Sequence, residues 1–194
     1  MTNILIVGVG GQGTLLASKV LGMLALSAGY DVKVSELHGM AQRGGSVVTH
    51  VRFGDAVHAP LIDQGGADII LAFEKLEAAR YLNYLKPGGT VIVNDHEILP
   101  MPVILGAAAY PDDVMDILKA NAGAVYAVDA GELANACGNP RTMNVVLLGA
   151  LARCMDQPAA AWEAALKSVI KPGFLDVNLA AFARGFAIDL KDQA

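Results

Sequence analysis

The apolar run Ile4–Val7 and the glycines that follow it, Gly8-Val9-Gly10-Gly11-Gln12-Gly13, constrain this chain more than any other stretch. A short run without polar residues that stops at glycines reads as a central parallel strand, covered on both faces. Glycine at such a stop permits positive φ and close approaches that a Cβ forbids. The following Gln12–Ala28 places Leu16, Val20, Met23 and Leu24 on one helical face, Gly29 closes the helix, and Tyr30–Ser35 reads as a second strand. Strand, glycine loop, helix and strand make a βαβ unit. The loop also fits G-x-G-x-x-G in its required context, and Glu36 lies about the right distance downstream to hold a ribose hydroxyl. Two readings stand side by side: a phosphate site at a helix N-terminus, or a tight turn that serves helix–strand packing.

After Ser35 the pattern leaves the doubly wound scheme. Three glycines, Gly39, Gly44 and Gly45, interrupt the stretch between Glu36 and Ser46, so no crossover helix fits there. Val47–Phe53 then alternates, with Val47, Thr49, Val51 and Phe53 on one side and Val48, His50 and Arg52 on the other. A strand reached without a crossover runs antiparallel to its predecessor, which makes the sheet mixed. The second glycine stretch, His38-Gly39-Met40-Ala41-Gln42-Arg43-Gly44-Gly45-Ser46, is expected to stand opposite the first. His38 is either a solvated loop residue or a contact. Arg43 beside Gly44-Gly45 offers a planar fork suited to a carboxylate or phosphate, and its structural and functional readings stay level.

Further along, Asp68–Phe73 reads as a buried strand and Glu74–Leu85 as a helix, stopped by Lys86-Pro87-Gly88-Gly89. Thr90–Asn94 is a strand, Pro111-Asp112-Asp113 opens a helix with an acidic first turn, and Ala124–Val128 is the last strand. Asn139-Pro140 supplies an N-cap and first position for a helix to about Met155 that is apolar nearly all round and therefore buried. Helices near Pro158–Val169 and Leu175–Leu190 end the chain; in the last, Asn178, Ala181, Phe182 and Gly185 share one face, for core packing or for an inter-subunit contact. The expected architecture is a three-layer α/β/α Rossmann-like domain with a mostly parallel but mixed sheet and C-terminal helices. It forms one domain over residues 1–194, with the sheet core in about 1–130 and a helical part in about 139–190.

Composition narrows the function classes. Apolar residues, counted with glycine and without tyrosine, make up roughly 62% where ordinary domains hold about 45–50%. That excess fits either an alanine-rich core or apolar surface held against a partner. A net charge of −5 with 14 Lys and Arg argues against a nucleic-acid partner. The two cysteines, Cys137 and Cys154, read as buried thiols and fall short of the four thiolates an iron–sulfur cluster takes. His50, His58 and His96 show no ligand spacing with each other or with a cysteine. Neither a Gly-x-Ser-x-Gly elbow nor a phosphate-loop Gly-Lys-Ser/Thr occurs, so no catalytic set emerges from the residues themselves. With no basic leader and no apolar run of about 20 residues, the expectation is a cytoplasmic chain without a membrane partner.

Val7–Gly13 together with Ser35–Val47 resembles the beta subunits of the indolepyruvate:ferredoxin oxidoreductases, and more broadly the gamma domain of the 2-oxoacid:ferredoxin oxidoreductases. The resemblance runs over essentially the whole chain, through Leu71–Ala78, Val91–Asn94 and Asn178…Ala181-Phe182…Gly185. The Gly-Gly-Gln-Gly loop is common to the whole group, whereas His38–Gly45 is similar to the indolepyruvate branch. The resemblance implies a complex that oxidatively decarboxylates an aryl pyruvate with CoA, giving aryl-acetyl-CoA, carbon dioxide and reduced ferredoxin. It implies that thiamine diphosphate, magnesium and iron–sulfur clusters belong to a large alpha subunit, and that this chain binds none of them. The small subunit then helps assembly and shapes the entrance used by CoA. The expected contact residues are Gly8, Gly10, Gly11, Gln12, Gly13, Glu36, His38, Gln42, Arg43, Gly44 and Gly45, none of them catalytic and none a metal ligand. A stand-alone Rossmann-type nucleotide-binding protein is the alternative reading.

Overall fold

Alternating apolar side chains clothe both faces of a six-stranded sheet with the order β2-β3-β1-β4-β5-β6. The computed structural model describes residues 1–38 and 44–190, at His38 the backbone alone. The strands are β1 (Thr2–Val9), β2 (Asp31–His38), β3 (Ser46–Gly54), β4 (Ala67–Ala72), β5 (Leu85–Asn94) and β6 (Ala124–Val128). β3 runs antiparallel to both β1 and β2, while β1, β4, β5 and β6 are mutually parallel. The mixed sheet expected from the missing crossover helix is therefore present. Its antiparallel strand sits between the two strands of the first βαβ unit.

One face carries Ile4, Ile6, Val51, Leu71 and Ile92 against α1 (Thr14–Ser27), α6 (Met143–Ala152) and their neighbours α5 (Ala130–Ala136), α7 (Ala159–Val169) and α8 (Pro172–Phe186). The other carries Leu5, Val7, Ile70, Val91 and Val93 against α2 (Lys75–Arg80) and α4 (Val114–Asn121). α6 packs on the sheet with one side and on α8 with the other, which explains why it is apolar all round and buried from Asn144 to Ala152. α8 turns Asn178, Ala181, Phe182 and Gly185 toward this packing, so that shared face is core.

Several boundaries differ from the expected ones, each for a local reason. The helix expected over Glu74–Leu85 stops at Arg80. A single 3-10 turn, Leu82–Tyr84, follows, and Leu85 is already drawn into β5 opposite Ala67. α5 was absent from the expected elements; Asp129 caps it by accepting from Glu132 N at 2.8 Å, and Gly138 at φ 88° leaves it. A short α3 (Met101–Ile104) after β5 was also absent from them. Asn139 caps a 3-10 turn, Pro140–Thr142, before α6 begins. On α1 the buried stripe is Ala17, Val20, Leu21, Leu24 and Ala25, while Met23 is exposed, because that stripe is rotated round the helix away from it. In β3 both faces are covered: Thr49 and Val51 on one side and His50 on the other are all buried. Cys137 and Cys154 are half-buried rather than buried, one closing α5 and the other following α6; partial burial pushes the Cys154 thiol above its ordinary pKa. Among the described residues no helix is long and apolar enough to cross a membrane.

Candidate functional site

The site grows from the end of β1. Gly11 and Gly13 take φ values of 104° and 88°, a region that only glycine adopts freely, and Gly13 is the N-cap of α1. Gln12 lies between them with its side chain turned inward. Its Oε1 accepts from Val9 N at 2.7 Å, and its Nε2 donates to Phe73 O at 2.9 Å. This matters because β1 and β4 are neighbours whose following helices leave to opposite faces, the switch point where α/β sheets open a crevice. Gln12 closes that crevice, bridging the end of β1 to the end of β4. Gly8 makes the bridge fit, since a Cβ there would lie 2.8 Å from Gln12 Oε1 and 2.9 Å from the Phe73 Cβ. Gly13 is tied in as well: Asn144 Nδ2 of α6 donates to Gly13 O at 3.2 Å, in the space a Cβ would need.

The two glycine stretches do meet. Gly10 N donates to Gly45 O at 2.8 Å, and Gly44 N donates to Gly10 O at 3.4 Å, prolonging the β1–β3 ladder by one step. The strands they follow, β1 and β2, are not neighbours, because β3 lies between them. Ser46, the first residue of β3, is held by α2: its Oγ donates to Glu77 Oε2 at 2.5 Å and lies 3.3 Å from the Tyr81 hydroxyl. Glu77 is buried and also accepts from Arg80 Nε at 3.1 Å. Gln42 and Arg43 lie outside the described residues, as does the side chain of His38.

Glu36 shares a cavity of about 380 Å3 with Gly10, Gly11, Gly13, Thr14 and Val47. Its Oε2 accepts from Thr49 Oγ1 at 3.5 Å. The carboxylate therefore faces the start of α1, but Val47 of β3 stands where a βαβ nucleotide fold would bring β2 directly beside β1. On the other side of the loop a second cavity, of about 410 Å3, is lined by Gly11, Gln12, Gly13, His96, Arg141 and Asn144.

Three buried polar residues were not singled out from the sequence. Glu74 caps α2 through Oε2, which accepts from Glu77 N at 2.9 Å. Its Oε1 accepts from the Tyr110 hydroxyl at 2.6 Å and from Ile98 N at 3.3 Å. Burial, with the Glu74 carboxylate second, holds the Tyr110 phenol well above its ordinary pKa. Asn94 donates through Nδ2 to Phe73 O at 3.2 Å and accepts from Ala130 N at 3.1 Å. Phe73 O is thus shared by Gln12 and Asn94, which locks the ends of β1, β4 and β5 to one acceptor. A signal for Glu74 was available: an acidic residue after an apolar run and three before Glu77 has the spacing of a helix cap. No such signal marks Asn94 or Glu77.

What this edge of the sheet offers is backbone donors, Glu36 and an exposed Arg141 and, among the described residues, no group of three side chains able to hold a metal ion. Its likeness to known proteins is extensive. The crystal structure of a keto/oxoacid ferredoxin oxidoreductase gamma subunit from Geobacter sulfurreducens superimposes with a TM-score of 0.71 at 25% identity, covering 96% of each chain. The indolepyruvate oxidoreductase subunit IorB of Thermococcus kodakarensis is 47% identical over 190 residues, covering 94% of this chain and 93% of its own. The 2-oxoglutarate synthase subunit KorC of Methanothermobacter marburgensis is 27% identical over 195 residues, covering 98% of each. Fold and loops together define the class, that of the gamma-type chains of the oxoacid:ferredoxin oxidoreductases. The pyruvate ferredoxin/flavodoxin oxidoreductase family matches residues 3–188, and the chain belongs to it.

Proposed function

We propose that this chain is the small subunit of an oxidoreductase that decarboxylates indolepyruvate or related aryl pyruvates with CoA, yielding aryl-acetyl-CoA, carbon dioxide and reduced ferredoxin. The observation that carries the reading is the 47% identity, over nearly the full length of both chains, to a protein named indolepyruvate oxidoreductase subunit. The chain named for 2-oxoglutarate is much more distant, at 27%. The redox centres are assigned to the large subunit. An iron–sulfur cluster normally takes four thiolates, and Cys137 and Cys154 are the only cysteines present. When bound there, thiamine diphosphate supplies carbanion and radical chemistry, and a small subunit contributes position and electrostatics.

In this reading the two bonded glycine loops face the large subunit and the entrance used by CoA. Glycines at 8, 10, 11, 13, 44 and 45 keep the backbone low; Glu36, His38, Gln42 and Arg43 supply the polar contacts; Gln12 holds the platform rigid from beneath. The test is reconstitution. The purified chain is expected to be colourless and inactive with indolepyruvate, CoA and ferredoxin, and activity should appear when the large subunit is added. Turnover or an iron–sulfur absorption band from the chain alone would sink the assignment, and so would a reconstituted complex that ignores aryl pyruvates.

A further inference from the structure

The segment between β5 and α4 presents large apolar side chains to water at the same edge of the sheet as the glycine loops. Leu99 is 48% exposed, Met101 61%, Ile104 60% and Leu105 73%. Single exposed apolar residues are ordinary, but four within seven positions form a patch of the kind that marks an interaction surface.

The patch is held in place from below. Ile98 at its start and Tyr110 at its end both donate to the same oxygen of Glu74, a residue only 1% exposed. Lys75 grips the approach, with Nζ 3.0 Å from Asp95 and 2.7 Å from Glu97, while its backbone N donates to His96 O at 3.1 Å. The Glu97 carboxylate, ahead of Asp95, raises the Lys75 ammonium above its ordinary pKa, so the clamp stays charged at neutral pH. Within the segment, Pro100 O accepts from Val103 N and Ile104 N, and Pro102 O accepts from Ala107 N and Ala108 N, at 2.8–3.1 Å. Two prolines and a closed set of backbone bonds fix the shape before any partner arrives, which lowers the ordering cost of association. The buried carboxylate that caps α2 through one oxygen thus joins both ends of the exposed apolar segment through the other.

The charges around it select the occupant. Asp95 and Glu97 precede the segment, 54% and 50% exposed, with Lys75 as their shared cation. Asp112 and Asp113 follow it, exposed and in no ion pair among the described residues. Arg141, lining a cavity with His96 and Ile98, and Lys119, lining one with Asp95 and Asp129, add two cations. The carboxylates of Asp95, Glu97, Asp112, Asp113 and Asp129 outnumber them and Lys75, so the apolar tip stands on a net acidic base. A second copy of the chain meeting it across a two-fold axis would bring acidic bases face to face. An apolar pocket with a lysine- and arginine-bearing rim complements both parts.

We propose that residues 98–110 are a preformed docking element that inserts Ile104 and Leu105 into an apolar, basic-rimmed pocket on the large, cofactor-bearing subunit. This rests on the subunit reading given above. The experiment uses the full chain and the purified large subunit, recognised by its thiamine diphosphate and iron–sulfur content. Binding of wild type, Leu105→Asp and Ile104→Asp is measured by calorimetry, and a photo-crosslinking phenylalanine analogue is placed at position 105 of an otherwise unchanged chain. Each aspartate variant is expected to weaken binding about tenfold or more, while the lone chain stays folded and monodisperse. The crosslink is expected on the large subunit. Wild-type affinity in both aspartate variants overturns the proposal, and so does a crosslink to a second copy of the chain. If an aspartate variant unfolds, the crosslink alone decides. Should the wild-type chain fail to bind the large subunit at all, the subunit reading itself falls and takes the docking element with it. Normal wild-type binding with undiminished variants overturns the docking element only.

Discussion

His50 illustrates how one residue can stiffen an irregular segment and make it sensitive to acid. Residues 55–66 join β3 to β4 without helix or strand of their own. Side chains of the sheet tie them down: His50 Nδ1 accepts from Ile62 N at 3.1 Å, Arg52 Nη1 donates to Ala59 O at 2.9 Å and Leu61 O at 2.7 Å, and Asp31 Oδ2 accepts from Val57 N at 2.9 Å. Nδ1 can accept only while the imidazole is neutral. Burial first and the Arg52 charge second hold the His50 pKa below its ordinary value. The unfolded chain therefore takes up a proton at a higher pH than the native one. Stability supplied by neutral His50 is complete above the ordinary imidazole value of about 6.5 and declines as the pH falls through the depressed native value. Urea unfolding of wild type and His50→Asn between about pH 8 and pH 5 checks this. The asparagine keeps an acceptor near Ile62 N but cannot titrate, so the variant should lose less stability on acidification. Parallel declines in the two proteins would remove His50 as the cause.

Among the elements, α6 and α8 depend on glycine for contact. A Cβ on Gly185 would overlap the carbonyl oxygen of Val146, and one on Gly149 would overlap that of Phe182, so the two helices cross backbone to backbone. Gly185→Ala is expected to cost about 3 kcal/mol, at the upper end for overpacking. Gly22 on α1 has open space where its Cβ would be, and Gly22→Ala should stabilise by about 0.5–1 kcal/mol through helix propensity and the unfolded state. Opposite shifts of the urea midpoints are the expected result; a neutral Gly185→Ala would mean that the crossing is looser than described. The shared face of Asn178, Ala181, Phe182 and Gly185 was readable because helical spacing reveals a face whatever covers it. What covered it, α6, required the tertiary arrangement. The same limit applies to the site. The loop glycines and their pairing across two stretches were legible, since glycine is a local signal. The inward turn of Gln12 onto Phe73 O, the Asn144 bond to Gly13 and the Tyr110 and Ile98 bonds to Glu74 join residues 24 to 131 positions apart, and no local pattern encodes them. α1 shows the converse: Met23 has the side chain of a core residue, yet the face through Ala17, Leu21 and Leu24 turns inward and it lies at the surface.

At the scale of the molecule, the order β2-β3-β1-β4-β5-β6 decides what the G-x-G-x-x-G loop can do. In a dinucleotide fold the strand after the first helix pairs with β1, so that its terminal carboxylate meets the ribose beside the pyrophosphate. Here antiparallel β3 occupies that place, its Val47 lining one cavity with Glu36 and the loop glycines, and the crevice at the switch point is filled by Gln12 with both ends of its amide engaged. Two glycines serve neighbours rather than a ligand, Gly8 making room for Gln12 and Gly13 for Asn144. The start of α1 still attracts anions, worth about 0.3–1 kcal/mol at a helix N-terminus. That increment is far from the more than 8 kcal/mol that micromolar binding requires, about −8.2 kcal/mol corresponding to 1 μM. Titration of the full chain with NAD and with NADP in a calorimeter is therefore expected to show no saturable low-micromolar binding. Weak, salt-sensitive association with inorganic phosphate would agree with a bare helix terminus, because a dipole without side-chain partners is readily screened. Stoichiometric micromolar binding of either dinucleotide, abolished by Glu36→Ala, would instead restore the stand-alone nucleotide-binding reading, and the inserted strand would then have to be no obstacle to the ribose.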